Sequence, residues 1–273
     1  IERALTAIDE FAILMAEHDV DQALMVATSA SRDAANRTEF FDQVEQRLGF
    51  KPDLISGEQE AQLSFSGALV GADEPSGPVL VVDSGGGSTE LVLGDVDGNV
   101  SQKISLDVGS RRLRERLLHC DPPTVDEINQ ARDEVRSQLD QAFDLSEVGT
   151  FIGVAGTITT MAALLLGLDG YDRSIVHGSR HDSAQLTELA DQLLNMTVDE
   201  VLQLGPVEPK RAPVLCAGAL IVAEIARRVP VPMIASEADI LDGVARLLAG
   251  ELTADLALSG HHFTPSGQLD SAS

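Results

Sequence analysis

Val79-Leu80-Val81-Val82-Asp83-Ser84-Gly85-Gly86-Gly87-Ser88-Thr89-Glu90-Leu91-Val92-Leu93 joins two apolar, β-branched runs through a carboxylate, three glycines, two hydroxyls and a second carboxylate. The pattern predicts a strand, a tight turn and a second strand returning beside the first. Gly85, Gly86 and Gly87 let successive backbone N–H groups face one point without Cβ obstruction, and Ser88 and Thr89 add hydroxyl donors. That is a cradle for a phosphate or another anion. Asp83 and Glu90 flank it and suit a divalent cation held against the same oxygens. A plain glycine-rich hairpin is the alternative, and the flanking acids and hydroxyls weigh against it.

Upstream, apolar positions at Leu5, Ile8, Phe11, Ala12, Leu14 and Met15 predict an amphipathic helix from Arg3 to His18. Gln22 to Ala30 reads as a buried strand opening onto Thr28-Ser29-Ala30-Ser31-Arg32-Asp33-Ala34-Ala35-Asn36. Hydroxyls around an arginine at a strand end suit an anion site, and equally an ordinary helix start. A helix over 37–48 and a short strand over 53–56 follow, an alternation that predicts α/β architecture. Ser56-Gly57-Glu58-Gln59-Glu60-Ala61 starts another helix, whose early acids ordinarily complement the helix dipole. Because this helix runs almost directly into the glycine hairpin, Glu60 is expected within reach of a bound phosphate.

Downstream, Asp95 to Asn99 marks a turn and Gln102 to Leu106 a third strand, giving an antiparallel meander. No P-loop sequence occurs. Arg111, Arg112, Arg114 and Arg116 cluster in an otherwise acidic chain, either as a solvated helix face or as a binding element. Thr124-Val125-Asp126-Glu127 is a capping box opening a helix. Phe151 to Ala163 predicts a strand turning at Gly156 into a helix with a threonine-rich first turn, a second anion cradle with Gly156 and Thr157 at its mouth. His177 and His181 have no evident third ligand, so zinc is not expected. A long helix over 207–229, a strand over 233–235 and a helix over 237–248 complete the pattern.

Composition sets the outer limits. The chain has 273 residues, 44% of them hydrophobic, but no Trp and 3% aromatics, so its cores are aliphatic. A formal charge of −25 argues against broad nucleic-acid binding and adhesion to anionic membranes. It leaves room for a local basic groove, since salt confines fields to about 8–10 Å. Cys120 and Cys216 form no C-x-x-C pair, and with no apparent signal peptide they read as reduced thiols in a cytoplasmic protein. No apolar stretch is long enough to span a bilayer. The chain opens without Met in the middle of a helical pattern and reads as a fragment or trimmed form of a longer protein.

Taken together, these motifs resemble the exopolyphosphatase/guanosine pentaphosphate phosphatase (Ppx/GppA) family of the actin-like ATPase superfamily, over Ile1 to about Gly250. Asp83 to Glu90 is similar to the family's D-I-G-G-G-S-T-E loop, with Ser84 in place of the usual Ile. The Thr28–Asn36 segment resembles T-S-A-x-R-D-A-x-N, Ser56–Ala61 resembles S-G-E-E-E-A, and Gly156–Thr160 resembles G-G-T-I-T-T. Lys210-Arg211-Ala212 with Ala217-Gly218-Ala219 is similar to a further family segment. Nothing corresponds to the family's first phosphate loop, D-x-G-T-N-S.

The resemblance implies an α/β, ribonuclease H-like (actin-like ATPase) fold of two domains around a cleft, the first truncated at its N-terminus. Residues 1–72 are expected in the first domain, 73–250 in the second and 251–273 in a flexible tail. It also implies in-line hydrolysis of a terminal phosphoanhydride, with Glu60 as general base or water-orienting group and Asp83 and Glu90 holding Mg²⁺ directly or through water. Arg32, Gly85, Gly86, Gly87, Ser88, Thr89, Gly156 and Thr157 would bind phosphate. Inorganic polyphosphate or guanosine pentaphosphate is the expected substrate, with no nucleic-acid or membrane partner and a homodimer as the assembly considered. The competing readings are an acceptor-dependent kinase of the same superfamily and a non-catalytic polyphosphate or alarmone sensor.

Overall fold

The computed structural model describes residues 1–28, 31, 34–252, 256, 258 and 260–263. Contacts divide the chain into two compact units, one formed by 1–60 and the segment from Val244 onward, the other by 61–243. The expected boundaries at 72/73 and 250/251 do not coincide with this division, which falls after Glu60 and after Gly243.

In the first unit, α1 (Glu2–Glu17) and α2 (Arg37–Leu48) follow the predicted amphipathic patterns. Leu5, Ile8, Val44, Leu48, Phe50 and Phe263 form its core. The predicted strand over 22–30 is realised as two short pieces, β1 (Gln22–Ala23) and β2 (Val26–Ala27), the latter parallel to β3 (Asp53–Leu54). Part of the expected tail is built into this unit. His261 and His262, forming β10, pair antiparallel with β1, and the His261 ring stacks on Phe50 with centroids 4.8 Å apart. His261 also meets Asp53 through Nε2 at 3.0 Å.

Helix α3 (Gly57–Ala68) starts at a reciprocal capping box. The Ser56 N–H donates to Gln59 Oε1 at 2.7 Å, and the Gln59 N–H donates to Ser56 Oγ at 3.2 Å.

The second unit is built on a six-stranded sheet. Its strands are β4 (Val79–Ser84), β5 (Thr89–Gly94), β6 (Val100–Leu106), β7 (Thr150–Val154), β8 (Arg180–His181) and β9 (Met233–Ala235), in the spatial order β6-β5-β4-β7-β9-β8. The predicted meander supplies the antiparallel side, while β4, β7 and β9 run parallel. Pleating sends alternate residues to opposite faces. Val79 and Val81 pack with Phe65 and Ala68 of α3, whereas Leu80 and Val82 join the large core on the other face.

That larger face carries α4 (Ser110–Leu117), α5 (Val125–Leu139), α6 (Gly156–Leu165), α7 (Ser183–Leu194) and α8 (Ala212–Ala226). Helix α8 is buried along nearly its whole length and is shorter than the 207–229 expected; Arg211 takes the N-cap position and Pro213 the first turn. Its buried carboxylate, Glu224, is met by Arg132 at 3.2 Å, Arg136 at 2.8 Å and Arg227 at 2.9 Å. The last helix, α9 (Ile240–Leu248), begins three residues later than expected. Gly67 and Gly243 admit the backbones of Asp239 and Leu63, whose carbonyl oxygens an added Cβ would strike.

Candidate functional site

The predicted hairpin forms with the register Asp83↔Glu90 and Ser84↔Thr89. Its turn is closed by the Gly85 N–H donating to the Ser88 carbonyl at 3.0 Å. The carbonyls of Gly85 and Gly86 point at the start of α4. Gly85 O accepts the Ser110 N–H at 3.0 Å, and Gly86 O accepts those of Arg111 and Arg112 at 2.9 and 3.0 Å. Helix α4 has no side-chain N-cap, so the loop satisfies its first turn.

This arrangement fixes the loop's polarity. In a planar trans peptide the C=O and the following N–H point in opposite directions. Carbonyls turned toward α4 therefore turn the Gly86 and Gly87 N–H groups away from it. Among the described residues, the N–H groups of Gly86, Gly87 and Ser88 have no acceptor. An anion at the loop would supply one.

Thr89 differs from its expected part as a hydroxyl donor to phosphate. It is wholly buried, and its Oγ1 donates to the Val108 carbonyl at 2.7 Å, tying the hairpin to the segment that leads into α4. Arg32 lies outside the described residues, as do Ser29, Ala30 and Asp33.

The second cradle sits at the head of α6. Ala155 is its N-cap, with φ 74° and ψ 162°, and no side chain caps the helix. The N–H groups of Gly156, Thr157 and Ile158 have no acceptor among the described residues. Arg211 lies against Gly156 so closely that a Cβ there would strike the guanidinium. Gly218 of α8 likewise admits Thr157 and Ser110, where a Cβ would stand 2.6 Å from Thr157 Cγ2 and 3.1 Å from Ser110 Cβ. One glycine thus brings the heads of α4 and α6 together.

The two cradles line one cavity of about 320 Å³, shared with Ser84, Ser110, Arg111, Glu208, Lys210 and Arg211. A second cavity of about 270 Å³ shares Ala155, Gly156, Glu208 and Arg211 with it, and adds Thr159, Tyr171, Glu237 and Asp239. There the Tyr171 hydroxyl donates to Glu237. Burial, and then that bond to a carboxylate, push the phenol up to about 12.

Asp83 and Glu90 stand directly opposite each other on the face that carries Val81 and Val92. Glu90 Oε1 accepts the Ser105 hydroxyl at 2.8 Å. Like charges at facing sheet positions destabilise one another, and a cation between them reverses that cost. Among the described residues, no group of three or more His, Cys, Asp or Glu side chains could hold a metal. Two carboxylates without a closed cage are the donor set a hard cation such as Mg²⁺ shares with water and substrate phosphates. Glu60 is half-buried in the first turn of α3, its N–H donating to Ser56 O at 2.9 Å; it belongs to the first unit, whereas Asp83, Glu90 and both cradles belong to the second. Among the described residues, no helix is long and apolar enough to cross a membrane.

Several of these features escaped sequence reasoning. Arg111, Lys210 and Arg211 are visible in the sequence as charges but not as the cation lining of a shared cavity, and Gly218 is visible as part of a family segment but not as the contact point of α4 and α6. The loop polarity, the uncapped α6 and the basic lining define a phosphate-handling enzyme of the actin-like ATPase fold, as the solved relatives also indicate.

The model of the Ppx/GppA phosphatase family matches residues 1–244. Exopolyphosphatase 2 of Mycobacterium tuberculosis is 41% identical over 263 residues, which cover 92% of this chain and 82% of that protein. Exopolyphosphatase 1 of Mycobacterium leprae is 30% identical, covering 83% of this chain and 67% of its own length. The crystal structure of the Aquifex aeolicus Ppx/GppA family member superposes with a TM-score of 0.82 at 31% identity, covering 92% and 82% of the two chains. The chain belongs to the Ppx/GppA phosphatase family.

Proposed function

We propose that this protein hydrolyses the terminal phosphoanhydride bond of inorganic polyphosphate and releases orthophosphate. The observation that carries this reading is the set of N–H groups at Gly86, Gly87 and Ser88 without an acceptor among the described residues, in a loop whose Gly85 and Gly86 line one cavity with the uncapped head of α6. The exopolyphosphatase names of the relatives support the same substrate.

In the proposed reaction the terminal phosphoryl oxygens accept hydrogen bonds from Gly86, Gly87 and Ser88. Water attacks phosphorus in line and gives its proton to the Glu60 carboxylate. A new P–O bond forms as the bridging P–O bond breaks, and the shortened chain keeps the electron pair. Asp83 and Glu90 would hold Mg²⁺, which supplies charge neutralisation at the phosphate oxygens. Arg32 would add a cation to the same oxygens. A cytoplasmic setting belongs to the same proposal.

A second substrate, guanosine pentaphosphate, is favoured by the neighbouring cavity. Its carboxylates Glu208, Glu237 and Asp239 disfavour a polyanion but can accept from the ring N–H and amino groups of a guanine. Phosphate release from polyphosphate, guanosine pentaphosphate and ATP, with Mg²⁺ and no acceptor, tests these readings. Hydrolysis of polyphosphate is expected, and its loss in EDTA. Turnover only with an added acceptor would replace hydrolase by kinase, and binding without turnover would leave a sensor.

A further inference from the structure

The first turn of a helix frays most readily, because its N–H groups lack intrahelical acceptors. Glu60 sits in the first turn of α3, so the place of its carboxylate depends on how that helix start is held. On the upstream side β3 is fixed to β2. The Asp53 N–H donates to the Met25 carbonyl at 2.8 Å, and the Ile55 N–H to that of Ala27 at 3.0 Å. Ile55 itself is fully buried.

Gln59 extends that hold to the far end of the chain. Its Oε1 accepts the Ser56 N–H at 2.7 Å, while its Nε2 donates to the Leu256 carbonyl at 2.7 Å, 197 positions further on. One partner needs an acceptor and the other a donor, so an amide serves both and a carboxylate serves only the first. The S-G-E-E-E-A motif that Ser56–Ala61 resembles carries glutamate at this position. The residue just before Glu60 thus differs from the motif in the one property that the Leu256 contact requires.

The chain end that meets Gln59 is itself anchored. β10 pairs with β1, the Phe263 N–H donates to the Asp21 carbonyl at 3.1 Å, and Phe263 is buried in the core of the first unit. Gly260 lies against α9, where an added Cβ would stand 2.5 Å from Leu248 Cδ2. His261, stacked on Phe50, reaches Asp53 at 3.0 Å. Two side-chain contacts, Asp53 with His261 and Gln59 with Leu256, therefore grip both ends of the stretch that leads to Glu60.

We propose that the chain end at Leu256 and Gly260–Phe263 is a strap that positions Glu60, with Gln59 as the positioning residue that couples the two. The assignment rests on the general-base reading of Glu60. Gln59 touches neither substrate nor water; it holds the first turn of α3 in the orientation from which the Glu60 carboxylate takes a proton. His261 secures the other end of the same stretch through Asp53.

The test compares wild type, Gln59→Glu, Glu60→Gln and the double variant, each followed for phosphate release from polyphosphate in Mg²⁺ and for thermal unfolding. Gln59→Glu keeps an acceptor for the Ser56 N–H and removes the donor to Leu256. It is expected to lower kcat about tenfold or more at unchanged KM and folded fraction, as misplacement of a reacting group does. In the Glu60→Gln background the same substitution should change nothing, because the strap acts through Glu60, whereas an added charge acting on the substrate would still be felt. His261→Phe adds no charge, keeps a ring against Phe50, loses the bond to Asp53, and should lower kcat in the same sense. Wild-type kcat in Gln59→Glu, or an equal loss when it is added to Glu60→Gln, overturns the strap and leaves the hydrolase reading standing. Full activity in Glu60→Gln defeats the general-base reading, and the strap's role falls with it.

Discussion

Gly109 approaches Gly87 so closely that an added Cβ would stand 2.6 Å from the Gly87 carbonyl carbon, with the backbone of Gly86 and Ser88 equally near. The obstacle is backbone, which cannot swing aside as a side chain can. Helix α4 can reach the loop carbonyls only because residue 109 is glycine. Gly109→Ala is therefore expected to destabilise the second unit by about 1–3 kcal/mol, the usual cost of overpacking. It should also tilt the loop's N–H groups. Thermal unfolding and steady-state phosphate release check this together; a fall in kcat/KM larger than the loss of folded protein explains is the predicted outcome.

Ala155 holds φ 74° and ψ 162°, a region that glycine enters freely and other residues enter at a cost of about 1–3 kcal/mol. The G-G-T-I-T-T motif that this segment resembles carries glycine at that position. Ala155→Gly removes the strain and adds back about 0.5–1 kcal/mol of unfolded-state entropy. A net stabilisation of up to about 2 kcal/mol follows, read as a higher urea midpoint at unchanged m. Ala155→Val should move the midpoint down.

The Glu127 carboxyl is held down at about 2, against its ordinary 4.5, chiefly by the Thr124 N–H and further by those of Cys120 and His119. A carboxyl with a depressed folded-state value contributes its full share above 4.5 and loses it as pH falls toward 2. The head of α5 should open in that window. Amide exchange at His119, Cys120 and Thr124 is predicted to lose protection across it, and Glu127→Gln should remove this pH dependence while lowering protection at neutral pH.

How much could be read beforehand depended on whether the determining contact was local. The hairpin, the Thr124–Glu127 capping box and the Gly156 turn are written in residues a few positions apart, and they form as expected. Gly109 and Gly218 are required by backbones and side chains distant in sequence, so the contacts that demand them cannot be read from their neighbours, although Gly218 falls in a segment similar to the family's. The four arginines after Gly109 drew attention to their charges, whereas the helix serves the loop first through its backbone N–H groups. His261 and His262 read as tail because two residues are too few to show a strand period; their pairing with Gln22 and Ala23 is specified from the far end of the chain. Thr89 looked like a phosphate donor because its true acceptor, the Val108 carbonyl, carries no sequence mark.

The measurement closest to the central claim compares wild-type protein with Glu60→Gln in Mg²⁺, following orthophosphate released from polyphosphate without an acceptor. The amide keeps the size of the side chain and cannot take the proton of the attacking water. A fall in kcat of about 10²–10⁴-fold, with polyphosphate binding retained, is the result predicted for a general base. Full activity in Glu60→Gln would contradict the account.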